Sequence, residues 1–529
     1  MGTGSRRKRV ALDALGAVPV LLLVFGPLLV LGIALITDAL SNPASWLELM
    51  IPSSRRVGLL LSSLAWAAAV AATSMALGGL AASALLRWRR GLLRWLLLVL
   101  APIPPHVHAL AWLWLDTAVL SSRAVGLQLG GGWLGAWWVQ TMAMLPLGIG
   151  VWLLAMEGVD PVPIEAARVL APGPVVWRRV VLPQVAPLVL VGFTLVLTLS
   201  LTDFTVPSLF GVTVYALEIF AEFSATGSSE RALALALPLL LVSGAAVFVL
   251  QRPLRHVVQR QPEPFYRHPQ RVALEQVGRG PRALGLIALG LHLAVPAAAL
   301  LVQMPRAGAL MESVGRAQSN ACYSVVLALA VALASMSVAM GAAPRMLRRD
   351  WVGRALWAAF ATTLAMPAAL TGMAMLALRV RLLPWAATGD LLPWLACTAR
   401  FAPLACLAAA AQARRIDPAL SEAARLLPVN RWRCMTRVEL PLLAPGLLVG
   451  GCIAFALTLG ELGATLLVIP PGSSTLTIRI YNYLHYGASE SVAGLAALAV
   501  GATAAAGLTA VVVLRAWARV LDAQPRRRA

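Results

Sequence analysis

The sequence predicts an all-α polytopic membrane protein of about twelve transmembrane helices, set out as two parallel six-helix repeats. Three observations carry this. The chain is 60% hydrophobic and only 12% charged, with a mean hydropathy of +0.80. Its apolar runs are continuous rather than alternating, which fits helices and not a barrel. A polar stretch between two of those runs occurs twice at matched positions.

The apolar runs fall near 14–37, 57–86, 95–119, 134–156, 186–211, 232–251, 284–303, 319–344, 355–377, 391–412, 446–469 and 489–514. Each is long enough to cross a bilayer as a helix. Arg6-Arg7-Lys8-Arg9 precedes the first run as it would a signal peptide. That run lacks a small-residue cleavage site, so it is read as an uncleaved first span. With the N-terminus inside, most of the 43 Lys and Arg residues fall in cytoplasmic segments. The same rule places both termini and both repeated stretches in the cytoplasm. The net charge of +21 is then a topology signal with contacts to lipid headgroups, and nucleic acid is not implied.

The chain divides near 252–283, a basic stretch read as a cytoplasmic linker between an N-terminal half (1–251) and a C-terminal half (284–529). Asp160-Pro161-Val162-Pro163-Ile164-Glu165-Ala166-Ala167-Arg168-Val169-Leu170 reappears as Asp417-Pro418-Ala419-Leu420-Ser421-Glu422-Ala423-Ala424-Arg425-Leu426-Leu427. Each copy runs into a Leu-Pro pair, Leu182-Pro183 and Leu440-Pro441. Thr141 and Pro146 match Thr398 and Pro403, and Asp203 in Leu-Thr-Asp-Phe matches Glu461 in Leu-Gly-Glu-Leu. Within each loop (157–187 and 413–445), Asp-Pro opens a short helix of strong helix formers. A second short helix, Val175 to Leu182 or Arg431 to Leu440, is expected to stop at the proline. The small Ala166-Ala167 and Ala423-Ala424 let a partner backbone approach, while Glu165, Glu422, Arg168 and Arg425 offer charged contacts. The plainer alternative is a solvated connector, which does not account for two matched copies.

These loops resemble the Glu-Ala-Ala loop of the inner-membrane permeases of binding-protein-dependent ABC importers. The resemblance extends from the second span to the twelfth and implies the MetI-like permease fold. The fused arrangement, with Leu459-Gly-Glu461-Leu-Gly-Ala-Thr465, Pro470-Pro-Gly472 and Thr475-Leu-Thr-Ile-Arg-Ile480, is most similar to the ferric-iron type. Thiamine, phosphonate and polyamine permeases share much of this frame. The resemblance implies that Glu165, Ala166, Ala167, Arg168, Leu182 and Pro183 form one ATPase-coupling surface. Glu422, Ala423, Ala424, Arg425, Leu440 and Pro441 would form the other. It also implies two ATPase subunits, an extracytoplasmic binding protein and a bacterial inner-membrane location. One departure is clear: the family glycine is Ala171 or deleted in the first copy and Pro428 in the second, so the bend after the short helix is made differently.

The single lysine, Lys8, rules out a Walker A loop in this sequence. ATP and Mg would therefore sit on a separate subunit, and no cofactor is expected on this chain. The five cysteines form no C-x-x-C pair, and no metal site is expected. Candidate pathway residues are Asp203, Glu461, Arg400, His106 and His108. Two carboxylates at matched positions would suit a cation, or each caps a helix end. Arg400 pairs with Glu461 or meets an anion. His106 and His108 lie in the helix-breaking Pro104-Pro105-His106-Val107-His108, two apart and so off a common helical face. A proton-driven secondary transporter, with Asp203 and Glu461 as its proton sites, is the alternative from another class. A membrane scaffold that moves nothing is a third.

Overall fold

The computed structural model describes residues 16–41, 43, 46, 53–86, 103–120, 131–259, 278–303, 307–382, 389–414, 416, 420, 431–486 and 489–523. Every regular element among them is helical. The first half comprises α1 (Val18–Ser41), α2 (Ser54–Leu85) and α3 (Pro105–Leu115), which ends in a π-helical turn at Asp116–Leu120. It continues with α4 (Trp133–Glu157), α5 (Pro161–Leu170), α6 (Gly173–Thr202), α7 (Thr205–Leu209), α8 (Tyr215–Thr226) and α9 (Ser229–Gln259). The second half comprises α10 (Arg279–Val302), α11 (Ala307–Met346), α12 (Trp351–Ala365), α13 (Ala368–Leu382) and α14 (Leu391–Ala413). There follow α15 (Arg431 to Leu459, with a π turn at Met435–Glu439), α16 (Thr465–Val468), α17 (Leu476–Tyr486) and α18 (Ser489–Ala523).

Among the described residues, ten helices are long and apolar enough to cross a membrane, and an eleventh span results if the bent pair α12–α13 is counted as one. Four of the twelve expected spans differ, and two of them, 186–211 and 446–469, are interrupted after Thr202 and Leu459. The run 95–119 is represented by α3 and its π turn alone, since 87–102 lie outside the described residues. The run 355–377 is broken, with α12 and α13 at 113° to each other. Pro367 causes the break: it has no N–H to donate, and it holds Met366 extended at φ −94°, ψ 128°. The carbonyl of Ala365, freed at the bend, accepts a buried bond of 2.7 Å from Ser243 Oγ on α9.

The expected proline stop in the repeated loop does not occur. Gly173 begins a helix that passes through Leu182-Pro183 and Pro187 to Thr202. The π turn Trp177–Val181 makes this possible. The Leu182 N–H reaches back to Trp177 O, five residues away, so the wider turn takes up the register that Pro183 would otherwise disrupt. The second copy repeats the device: the π turn Met435–Glu439 ends with Leu440 N–H on Met435 O, just before Pro441. The loop limits also shift at the linker, where α9 runs on to Gln259 and α10 begins at Arg279.

Packing between helices relies on small residues, as close backbone approach in lipid requires. A Cβ on Gly285 of α10 would lie 2.3 Å from Ala81 N of α2, and one on Gly78 of α2 would lie 2.6 Å from the Gly148 carbonyl carbon of α4. The first helix of each half packs on the other half. α1 lies against α12, α13 and α14, while α10 lies against α2, α3 and α4. This reciprocal exchange, with the contacts of α9 and α6 on α12, joins the halves.

Candidate functional site

Two helix breaks meet at the centre. α6 ends at Thr202 and α15 at Leu459, so Asp203 and Glu461 lie just past the ends of spans and not inside them. The backbone of each turns on itself, Asp203 N–H to Ser200 O at 3.3 Å and Glu461 N–H to Thr458 O at 3.2 Å. Each carboxylate then starts the next short helix. Asp203 Oδ1 accepts the Thr205 N–H at 3.0 Å, and Glu461 Oε1 accepts the Ala464 N–H at 2.9 Å. Such capping satisfies amides that would otherwise be orphaned at a helix start.

The two carboxylates differ in their second oxygen. Glu461 Oε2 lies 3.2 Å from Arg400 Nε. This is the ion pair among the two partners considered for Arg400. It is buried on the glutamate side at 7% exposure, where an unpaired charge is costly. Arg400 Nη1 has no hydrogen-bond partner, and the guanidinium lies over the Phe401 ring at 5.8 Å. Asp203 Oδ2 is buried and has no hydrogen-bond partner. The carboxamide of Gln140 stands beside Asp203 and is itself without a bond of ordinary geometry. By the repeat, Gln140 corresponds to Cys397, which is buried near Glu461 and Arg400.

The breaks touch across the halves. A Cβ on Gly463 would sit 2.6 Å from Ala368 Cβ and 3.3 Å from Phe204 Cε1. Phe204 in turn stacks on Phe220 of α8 at 5.2 Å. Pro104, at the head of α3, is 3.8 Å from the Cβ position of Gly460. The centre is therefore built from four interrupted segments, which is where non-helical backbone can occur at membrane depth.

His106 and His108 are buried in the first turns of α3. The His108 ring lies 4.7 Å from that of His292 on α10, and His292 Nδ1 is 2.9 Å from Met142 O on α4. Three remaining ring nitrogens of this pair have no partner. His292 escaped the sequence reading, although it is the one polar side chain inside a long apolar run. Gln140, Phe204 and Gly463 escaped it as well. Among the described residues no group of three or more His, Cys, Asp or Glu is placed to hold a metal ion.

The first repeated loop presents a defined face. Asp160 caps α5 through Val162 N–H at 3.0 Å, and its own N–H is held by Gln184 Oε1 of α6 at 2.9 Å. Ile164 is buried among Met156, Val159, Val176 and Val181 and anchors the helix. Glu165 and Ala166 are exposed, and Ala167 and Arg168 are half-buried. Val169 and Leu170 are 85% and 87% exposed. Leu182 is half-buried and Pro183 exposed, as are Leu440 and Pro441 of the second copy. Glu422, Ala423, Ala424 and Arg425 lie outside the described residues.

Residues 335–527, from α11 to α18, match the family described as binding-protein-dependent transport system inner membrane component. Over 79 residues the chain is 39% identical to the molybdenum transport system permease protein ModB of Escherichia coli strain K12, covering 14% of this chain and 34% of that one. It is 28% identical over 151 residues to the putrescine transport system permease protein PotI of the same strain, covering 28% and 54%. It is 33% identical over 89 residues to the putative 2-aminoethylphosphonate transport system permease protein PhnV of Salmonella typhimurium, covering 17% and 34%. The chain thus spans between about a third and a half of the length of these relatives.

Proposed function

We propose that this chain is the membrane-spanning subunit of an ATP-driven importer in an inner membrane, with both permease halves fused in one polypeptide. Two separate ATPase subunits would dock on the repeated loops, and an extracytoplasmic binding protein would deliver the solute. The observation that carries this reading is the duplicated loop, whose first copy is a capped, anchored helix with Val169 and Leu170 held out in solvent. Exposed apolar side chains on a polar break call for a partner. The similarity of residues 335–527 to a family of importer components supports the same reading.

In this reading, closure of the ATPase pair moves α5 and its counterpart. The continuous α6 and α15 carry that motion through their π turns to the breaks at Asp203 and Glu461. Ferric iron is the proposed solute, on the resemblance of the 459–480 segment to iron-type permeases. The second reading is another small polar solute of the kinds named for the relatives. The Arg400–Glu461 pair favours it, because that pair leaves Asp203 as the one carboxylate at the centre without a cationic partner.

Pull-down from solubilised membranes tests the partner. Wild type should retain an ATPase subunit and the Glu165→Lys/Glu422→Lys variant should lose it. Uptake by proteoliposomes under a proton gradient alone, with no ATPase recovered on either form, would sink the importer reading. Competition among ferric iron, molybdate, putrescine and 2-aminoethylphosphonate for ATP-dependent uptake separates the two solute readings.

A further inference from the structure

We propose that the cleft between the middle of α11 and the start of α14 binds a membrane phospholipid through a primary-amine headgroup. The cleft has a volume of about 650 Å³ and is lined by Cys322, Tyr323, Val326, Ala330, Asp390 and Trp394, among others. None of its lining residues belongs to the central breaks or to the coupling surface. The proposal rests on the membrane-spanning reading but not on the transport reading.

The chemistry of the cleft is ordered along α11. At one end stands Asp390, whose Oδ1 accepts a 2.9 Å bond from Tyr323 Oη. Asp390 precedes α14 yet makes no side-chain cap to it. Among the described residues no cationic side chain pairs with it, although four exposed or half-exposed arginines elsewhere pair with other carboxylates. Two aromatic side chains, Tyr323 and Trp394, line the cleft together with this carboxylate. One and two turns further along α11, the lining becomes Val326 and Ala330. The outward face of the same helix is apolar, with Val326 59%, Leu329 50% and Leu333 63% exposed, as expected of a surface that meets acyl chains.

A carboxylate beside aromatic faces favours an ammonium group. A primary amine can also donate hydrogen bonds to Asp390, which a choline cannot. No basic side chain lines the cleft, so an anionic headgroup gains nothing there and meets the Asp390 charge. The apolar run below the carboxylate fits the start of an acyl chain and has no use for a soluble amine. Tyr and Trp at the polar end match their usual place at a membrane interface.

Cys322 lines the cleft and is exposed, whereas Cys397, Cys406 and Cys434 are buried. It therefore reports occupancy in the full chain once Cys452 is replaced by Ser. The experiment measures the maleimide labelling rate of Cys322 in nanodiscs of three compositions. These are phosphatidylethanolamine with phosphatidylglycerol, phosphatidylcholine with phosphatidylglycerol, and phosphatidylglycerol alone. Labelling should be slowed about three-fold or more by phosphatidylethanolamine only, and Asp390→Asn should remove the difference. The lipid exchange needs only the Cys452→Ser background, so it decides the matter even if Asp390→Asn fails to fold. Equal rates in all discs would overturn the proposal. So would equal protection by phosphatidylcholine, or full protection in phosphatidylglycerol discs by soluble putrescine, which would make the occupant a soluble amine.

Discussion

Glu461 is held twice, by the Ala464 amide and by Arg400, and the two holds can be separated. Arg400→Leu strands a desolvated carboxylate and should cost about 3 kcal/mol, read as a lower Tm of the detergent-purified protein. Adding Glu461→Gln keeps an oxygen for the Ala464 amide and should recover most of that loss. Equal melting of the single and double variants would show that the pair is not coupled. Asp203 divides differently, because its cap and its spare oxygen are distinct atoms. Asp203→Asn should fold as the wild type does, whereas Asp203→Ala should lose about 1 kcal/mol with the cap. An Asn variant with unchanged Tm and lost uptake would assign the spare oxygen to transport, and unchanged uptake would confine Asp203 to capping. These carboxylates were legible in the sequence because the repeat aligned them. His292 was not, since nothing in the order of residues indicates that α10 lies against α3.

At the scale of elements, hydropathy located the spans but could not find their interruptions. The run 446–469 carries a single charged residue, Glu461, at its Gly460–Ala464 break, too little to lower its mean hydropathy much, so composition alone reads it as one helix. The π turns were hidden for a related reason. A Leu-Pro pair signals a stop in an isolated helix, whereas a preceding turn of wider register lets the helix continue. The bend at Pro367 depends on a neighbour. Ser243→Ala would leave the Ala365 carbonyl without its buried donor and should cost about 1–3 kcal/mol. Thermal unfolding would check this, and an unchanged Tm would mean that another donor replaces Ser243. Gly463→Val should be worse, because its side chain has to displace Ala368 or Phe204; overpacking of this kind costs about 1–3 kcal/mol. If Gly463→Val folds normally, a slowed uptake would identify the contact between the two breaks as one that must move.

At the scale of the molecule, the halves are joined by exchange of their first helices. A chain cut between Gln259 and Gly278 should therefore give two fragments that co-purify when made together and are degraded when made singly. Single fragments that are monodisperse in detergent would show that the exchange is dispensable. The exchange was not legible, because a repeated sequence says that two units are alike but not which unit each helix joins. It also sets an order of events during synthesis. α1 is made ahead of its partners α12, α13 and α14, which begin more than 300 residues later. At about 5–20 residues per second, that interval is on the order of tens of seconds. Until then α1 packs within its own half on α9, which begins only at Ser229, and it is the most apolar of the ten candidate spans among the described residues. A segment that has to wait longest for its neighbours is the one best able to stand alone in the bilayer.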